Sequence, residues 1–259
     1  MKVLNQHIAR MYVITIILFI AFVAVSSYDL GKIPYALITA IVFTSIVEVA
    51  VTKFYLKQSP KIPFSAIITG FIIGSVAPIN ASILLVVIAS VIAILSKYFI
   101  KIKSTNVFNP ATLGLLIALA IFGVGDEWWA ASSYNVYGLL ISFTPLFIIS
   151  AYETRRAISG LSFVVITFVM GLILGKSGNL ESITYLLTVL FSINYLFAFV
   201  MVADPKTSPH KNSLQVVFGG SIAIISALLT VYGIPYPLLI SLLFGNLAYG
   251  AYRSRGGAR

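Results

Sequence analysis

Residues 104–114 read STNVFNPATLG, a polar segment with a proline that lies between two apolar runs. Asn109 followed by Pro110 is typical of a helix start, because asparagine caps a helix N-terminus and proline fits its first position. The cap does not require Asn106, which we expect in the approach loop, where it can direct a second amide to the same place. Two amides offer donors and acceptors without charge, which suits a neutral heteroaromatic ring.

The composition places this segment in a membrane protein. Of 259 residues, 59% are hydrophobic and only 9% are charged, with a mean hydropathy of +1.03, whereas a soluble domain has about 25% charged residues. Hydropathy predicts one integral domain over 1–259 with about ten transmembrane helices. The predicted runs are 9–28, 33–56, 63–77, 81–100, 109–124, 137–153, 160–175, 183–203, 213–232 and 236–252.

Some of these runs are unusual in length. The runs 63–77 and 109–124 are shorter than the roughly 20 residues that a straight span needs, and each starts at or beside a proline, as half-helices do. The run 9–28 is too long for a signal-peptide core, so we interpret it as a helix. Irregular backbone survives in lipid only where protein or a polar cavity satisfies it. We therefore expect the breaks at 63–78, 104–114 and 202–212 to line a site.

The net charge of +10 predicts topology rather than a nucleic-acid partner. Fifteen of the 17 lysines and arginines lie at the N-terminus, in every second link or in the C-terminal tail, and Lys32 and Lys176 lie in the other links. The positive-inside rule then places both termini in the cytoplasm of a multi-pass protein of the cell membrane. The tryptophans 128 and 129 follow an acidic outer link, as interfacial anchors do.

Several kinds of site are excluded or left open by residue content. Without cysteine the chain cannot ligate an iron-sulfur cluster, and His7 and His210 are both at cytoplasmic ends, which argues against haem. Because the sequence offers no paired carboxylates or Ser/His/Asp set, we assign no catalytic residue and no metal site. Glu48 is an ionisable residue inside the second run: it is a candidate for an ion pathway, or it reaches water or pairs with Lys53.

The runs also suggest an internal repeat. Ten helices divide into two sets of five, about 1–124 and 137–259, and an odd number in each set inserts the second copy upside down. The sequence therefore predicts an all-α membrane fold of two inverted five-helix repeats with broken helices.

Four segments together carry a resemblance to a known family. PFSAIITGFIIGSVAP, STNVFNPATLGLL, FAFVMVADPKTSP and PLLISLLFGNLAYGAY occur in this order over about 60–255. They resemble the NqrB/RnfD family, the B subunit of the sodium-translocating NADH:quinone reductase and the D subunit of the Rnf complex. The resemblance implies a urea-transporter-like fold of ten helices in two inverted repeats, and partner subunits that carry other redox centres.

The resemblance also implies flavin. Non-covalent riboflavin or FMN would lie at the N-x-x-N-P-A block, and we expect it to contact the residues Asn106, Asn109, Thr112, Asp204 and Lys206. Asp204 has an alternative role, capping the turn before Pro205. The family attaches a covalent FMN to a threonine in the link after the fifth helix. Here that link, 125–137, reads GDEWWAASSYNVY and has no such motif, so we do not expect covalent FMN.

Two functions follow from these observations. The first is a membrane subunit of an electron-transport complex that binds a non-covalent flavin and relays electrons, with coupled ion transport left open. The second is a transporter or channel for a small solute, which includes a flavin itself, on the same fold. An assembly subunit is a third alternative.

Overall fold

The computed structural model describes residues 35–59, 61–102, 105–129, 144, 146–175 and 183–256. In these residues it has eight α-helices of ten or more residues, three π-helical segments and one hairpin. The helices are α1 Tyr35–Ala50, α2 Phe64–Val76, α3 Ile83–Phe99, α4 Pro110–Phe122, α5 Ala157–Leu174, α6 Ile183–Ser192, α7 Asn212–Val231 and α8 Pro237–Ser254. The π-helical segments are π1 Val51–Tyr55, π2 Ile149–Glu153 and π3 Phe197–Val202, and the hairpin strands are β1 Lys101–Ile102 and β2 Thr105–Asn106.

Most of the predicted runs coincide with a helix to within a few residues. The run 9–28 and residues 137–143 and 145 of the run 137–153 lie outside the described residues. The run 183–203 is not one helix, because α6 ends at Ser192 and helical structure resumes at 195. Asn194 explains the break, since its Oδ1 accepts the Phe197 N–H at 2.8 Å and starts a new helix.

The described helices have the lengths and surfaces of a membrane protein. Three are long and apolar enough to cross a bilayer, namely Tyr35–Tyr55, Ala157–Leu174 and Asn212–Val231, and four shorter ones are also apolar. Their outer faces carry aliphatic side chains that are more than half exposed, such as Ile46, Val165 and Val217. Apolar surface of this extent is stable against lipid but not against water, so the chain is an all-α membrane protein.

The chain divides into two compact units, Met1–Ala130 and Ala131–Arg259. In unit 1, α1 packs against α2 and α3, and α3 packs against α4. In unit 2, α5 packs against π3 and α7, and α7 packs against α8. The two units thus share a pattern of contacts. The helix α1 in unit 1 and the helix α5 in unit 2 each contact two later helical segments, and the second of these segments, α3 or α7, contacts the last helix of the unit, α4 or α8.

Glycines allow the close contacts inside unit 1. A Cβ added at Gly70 would lie 2.6 Å from the Ala40 carbonyl oxygen, and one at Gly74 would collide with the Leu37 Cα. The GxxxG spacing in α2 therefore serves close packing, as this spacing usually does.

The interpretation of Trp129 as an interfacial anchor is wrong. Trp129 is buried and its Nε1 donates to the Gly74 carbonyl at 2.8 Å, so it does not act as an interfacial anchor. The Trp128 Nε1 donates to the Asp126 carboxylate at 2.6 Å. A cavity of about 490 Å³ lies at this end, lined by residues of 78–85 and 122–127.

Candidate functional site

The start of α4 is built as the sequence predicts. Asn109 has an extended backbone and is the N-cap, and its Oδ1 accepts the Thr112 N–H at 3.2 Å. Pro110 occupies the first helical position, where the missing N–H costs nothing. The prediction of a capped helix start is confirmed.

Asn106 is in a strand rather than in the predicted loop. The hairpin pairs Lys101 with Asn106 and Ile102 with Thr105, and it leads directly into the start of α4. Asn106 is 8% exposed and Asn109 is 3% exposed. Two buried amides thus lie within three residues of each other at one helix N-terminus, as the residue spacing predicts.

Thr112 has the most informative side chain at this start. It is fully buried, and its hydroxyl has no hydrogen-bond partner in the described part of the chain. Several hydroxyls within helices donate to the carbonyl one turn earlier, as Thr44 does to Ala40 at 2.7 Å and Ser90 to Val86 at 2.8 Å. Thr112 lies in the first turn of α4, so Phe108, four positions before it, is outside the helix. The Thr112 hydroxyl therefore does not make the bond that Thr44 and Ser90 make. A buried hydroxyl without a partner costs about 1 to 3 kcal/mol, which a ligand would recover.

Asp204 and Lys206 lie in unit 2, in the segment between π3 and α7. The Asp204 carboxylate accepts the Lys206 N–H at 3.1 Å and the Thr207 hydroxyl at 3.1 Å. These hydrogen bonds are the ones expected from the alternative role of Asp204, which is to cap the turn at Pro205. The Lys206 side chain is exposed.

Glu48 has a partner that its sequence neighbourhood does not indicate. Its Oε2 lies 3.5 Å from the Lys97 Nζ, and its Oε1 accepts the Tyr98 hydroxyl at 2.9 Å. The Lys97 Nζ also lies 3.3 Å from the Ser65 hydroxyl. The partner that the sequence suggested, Lys53, instead lies over the Phe54 ring.

Sequence reasoning missed Lys97 because it counted this residue among the basic links. Lys97 is in fact 6% exposed and lies inside α3. The signal was present: Lys97 falls within the apolar run 81–100 rather than beyond its end, and a lysine at such a position needs a partner.

A second helix start, that of α5 in unit 2, was also missed. Arg156 is its N-cap residue and is 7% exposed, and Nε and Nη1 of its guanidinium are buried without a hydrogen-bond partner in the described residues. Ser159, three residues on, is fully buried and its hydroxyl also has no partner there. The sequence signal was a serine three residues after a basic pair.

A glutamine from α7 holds the α5 start in place. The Gln215 Oε1 accepts the Ser159 N–H at 3.3 Å, and its Nε2 donates to the carbonyls of Arg155 and His210, each at 3.0 Å. Gln215 is fully buried. All the described hydrogen bonds of the Gln215 side chain are therefore to backbone atoms, and none of them is to the Arg156 or Ser159 side chain.

Burial controls the electrostatics of the α5 start. It lowers the pKa of the Arg156 guanidinium, and electrostatic interactions with the Tyr249 side chain and the Asp204 carboxylate oppose that shift. Asp204 is thus near enough to act on Arg156 through space.

Comparison with known proteins gives one clear result. The family model described as the NQR2, RnfD, RnfE family matches residues 4–193 of the chain. A search of curated proteins finds no match. The matched range includes the α4 start, Glu48, Lys97 and the α5 start, and it ends before Asp204.

Proposed function

Since this chain belongs to the NQR2, RnfD, RnfE family and is a membrane subunit of an Nqr/Rnf-type complex, we propose that it binds a non-covalent flavin at the start of α4. The flavin, riboflavin or FMN, would relay electrons between partner subunits. Ion transport coupled to this relay is part of the same proposal, and Glu48 is its candidate residue.

One observation carries the flavin proposal: the buried Thr112 hydroxyl has no partner in the described residues, although it lies in the first turn of the helix that the buried Asn109 caps. Local capping accounts for the Asn109 Oδ1, but it does not account for Thr112. A hydroxyl and two amides together match the carbonyl and ring-nitrogen edge of an isoalloxazine.

The electrostatics of this start also suit a redox cofactor. A bound flavin supplies electron transfer. The α4 N-terminus carries a partial positive charge, and this charge would stabilise negative charge on a bound ring. The Asn106 and Asn109 amides would orient that ring without adding a full charge, and their burial would exclude water.

The test is flavin content per folded protein, measured by absorbance after gentle detergent purification with flavin supplied. We expect Asn106→Leu and Thr112→Val each to lower flavin affinity roughly 5- to 150-fold, because each leaves ligand groups unpaired. Wild type without flavin, or Asn106→Leu with unchanged affinity, would contradict the proposal and favour the transporter alternative.

A matched pair at Asn109 separates the cap from the ligand. Asn109→Leu loses both the cap and the amide, so it lowers flavin content and destabilises the helix start by about 1 kcal/mol. Asn109→Asp keeps a good capping oxygen but removes the amide donor. We expect this variant to keep its thermal stability and to lose flavin. If Asn109 is purely structural, the variant should keep both its thermal stability and its flavin.

We also propose that the fold consists of two inverted five-helix repeats with both termini in the cytoplasm. The shared order of contacts in the two units supports two five-helix repeats, and the charge asymmetry supports their inversion with cytoplasmic termini. Cysteines at the exposed positions Gln58 and Val124 test the orientation of unit 1 in intact cells. We expect a membrane-impermeant thiol reagent to label Val124→Cys and to leave Gln58→Cys unlabelled, and the reverse pattern would refute it.

The absence of a covalent FMN is likewise a prediction, because the link 125–137 is described only as far as 129. Denatured protein should show no flavin fluorescence on a gel, even after co-expression with a flavin transferase.

A further inference from the structure

The Arg156 guanidinium is a buried charge with unused donors. Its Nε and Nη1 have no hydrogen-bond partner in the described residues, and the side chain is 7% exposed. Buried charges in proteins are normally paired. Among the described carboxylates, that of Asp204 affects the Arg156 charge, and it accepts hydrogen bonds from the Lys206 N–H and the Thr207 hydroxyl.

Two further groups at this helix start also favour a negative ligand. The Ser159 hydroxyl is fully buried and has no partner in the part of the chain that the structure describes. The helix α5 is 18 residues long, so its N-terminus carries the partial positive charge of a full-length helix.

From these three groups we propose that the start of α5 binds a phosphate group. A guanidinium offers a planar fork of donors that fits phosphate oxygens, a serine hydroxyl adds a neutral donor, and a helix N-terminus is a common phosphate site. The phosphate comes either from a small soluble anion or from a phospholipid headgroup, since both present the same oxygens. This site does not depend on the flavin proposed at α4.

Asp204 sets a limit on the affinity. Its negative charge stabilises Arg156 in the absence of ligand and repels an incoming anion. The site is therefore expected to be of moderate affinity, and removal of this charge should strengthen it.

The experiment uses the detergent-purified full chain and measures its melting temperature against inorganic phosphate at constant ionic strength. Wild type should show saturable stabilisation. Arg156→Gln should raise the apparent dissociation constant at least roughly tenfold, because it removes a charge-assisted donor pair. Arg155→Gln is the matched control, since it removes the same charge from an exposed neighbour and should leave the constant unchanged.

A second arm identifies the source of the phosphate. Delipidated protein is mixed with phosphatidylglycerol or phosphatidylcholine, and the retained lipid is counted by native mass spectrometry. A phosphate response lost in Arg156→Gln supports a soluble anion, whereas Arg156-dependent retention of phosphatidylglycerol supports a headgroup. Equal responses of Arg156→Gln and wild type in both arms would overturn the proposal.

Two milder variants keep the test decisive if Arg156→Gln does not fold. Ser159→Ala should weaken binding several-fold, and Asp204→Asn should strengthen it several-fold while it retains an acceptor for the turn. If neither variant changes phosphate affinity or lipid retention, the proposal is wrong.

Discussion

The starts of α4 and α5 have similar construction and opposite character. In each, the third helical residue has a buried hydroxyl without a partner in the described chain, Thr112 or Ser159. In each, a side-chain amide oxygen accepts the N–H of that same residue, from Asn109 at 3.2 Å or from Gln215 at 3.3 Å. The start of α4 is neutral, whereas the start of α5 carries a buried arginine.

The two units also differ in how they neutralise a buried cation. Unit 1 pairs Lys97 with Glu48 and adds the Ser65 hydroxyl, so its cation is satisfied away from the α4 cap. In the residues of unit 2 that the structure describes, Nε and Nη1 of Arg156 have no acceptor at the helix start itself. If both proposals hold, the same local arrangement, a buried hydroxyl in the first helical turn, binds a neutral ring in unit 1 and an anion in unit 2.

The largest expected effect tests the contrast between the two cations. Lys97→Met leaves the Glu48 carboxylate without its cation and should destabilise the protein by about 3 to 5 kcal/mol. Arg156→Met removes a buried charge whose Nε and Nη1 have no hydrogen-bond partner in the described residues, so in phosphate-free detergent it should be neutral or stabilising. The apparent melting temperature of each variant gives the sign.

The control for this contrast is the double variant Glu48→Gln with Lys97→Met, which should recover most of the loss because both charges are gone. Equal losses for Lys97→Met and Arg156→Met would mean that Arg156 has an acceptor of its own, and the contrast between the units would fail.

An intermediate effect tests the glycine contacts that position both helix starts. A Cβ at Gly114 would collide with the Ala89 carbonyl oxygen, and a Cβ at Gly219 would collide with the Ser159 carbonyl oxygen. Alanine at either position should cost about 1 to 3 kcal/mol through overpacking. The loss should appear as a lower melting temperature and, for Gly114→Ala, as lower flavin content.

Gly220 provides a control in the same helix as Gly219. A Cβ there would lie 3.4 Å from the Ser162 hydroxyl, an ordinary contact. Gly220→Ala should therefore gain up to about 1 kcal/mol from helix propensity. A loss as large as that of Gly219→Ala would show that helix α7 tolerates no glycine replacement, and the argument from contact would be wrong.

Helix positions were predictable from the sequence because apolar runs and capping residues act locally. The run 109–124 became α4 with Asn109 as cap and Pro110 at its first position, since neither residue needs a distant partner to set a helix start. The break at Asn194 was also local, but an apolar sequence on both sides concealed it.

Partners across the fold were not predictable. Glu48 and Lys97 are 49 residues apart, and Gln215 reaches Ser159 across 56. Only packing of one helix on another makes these pairs. The sequence therefore pointed to the start of α4, where Asn106, Asn109 and Thr112 are neighbours in the chain. It did not point to the start of α5, because the role of Arg156 depends on its burial.

The smallest expected effect concerns Asp204, the carboxylate near the charged start. Asparagine at 204 retains an acceptor for the Lys206 N–H and the Thr207 hydroxyl, so Asp204→Asn should change stability by less than about 0.5 kcal/mol. Asp204→Leu loses both bonds and should cost about 1 kcal/mol. Flavin content measured on the same samples separates the two roles of this residue. Unchanged flavin in Asp204→Asn assigns Asp204 to the turn alone, whereas a loss of flavin without a loss of stability means that flavin binding needs the charge at 204.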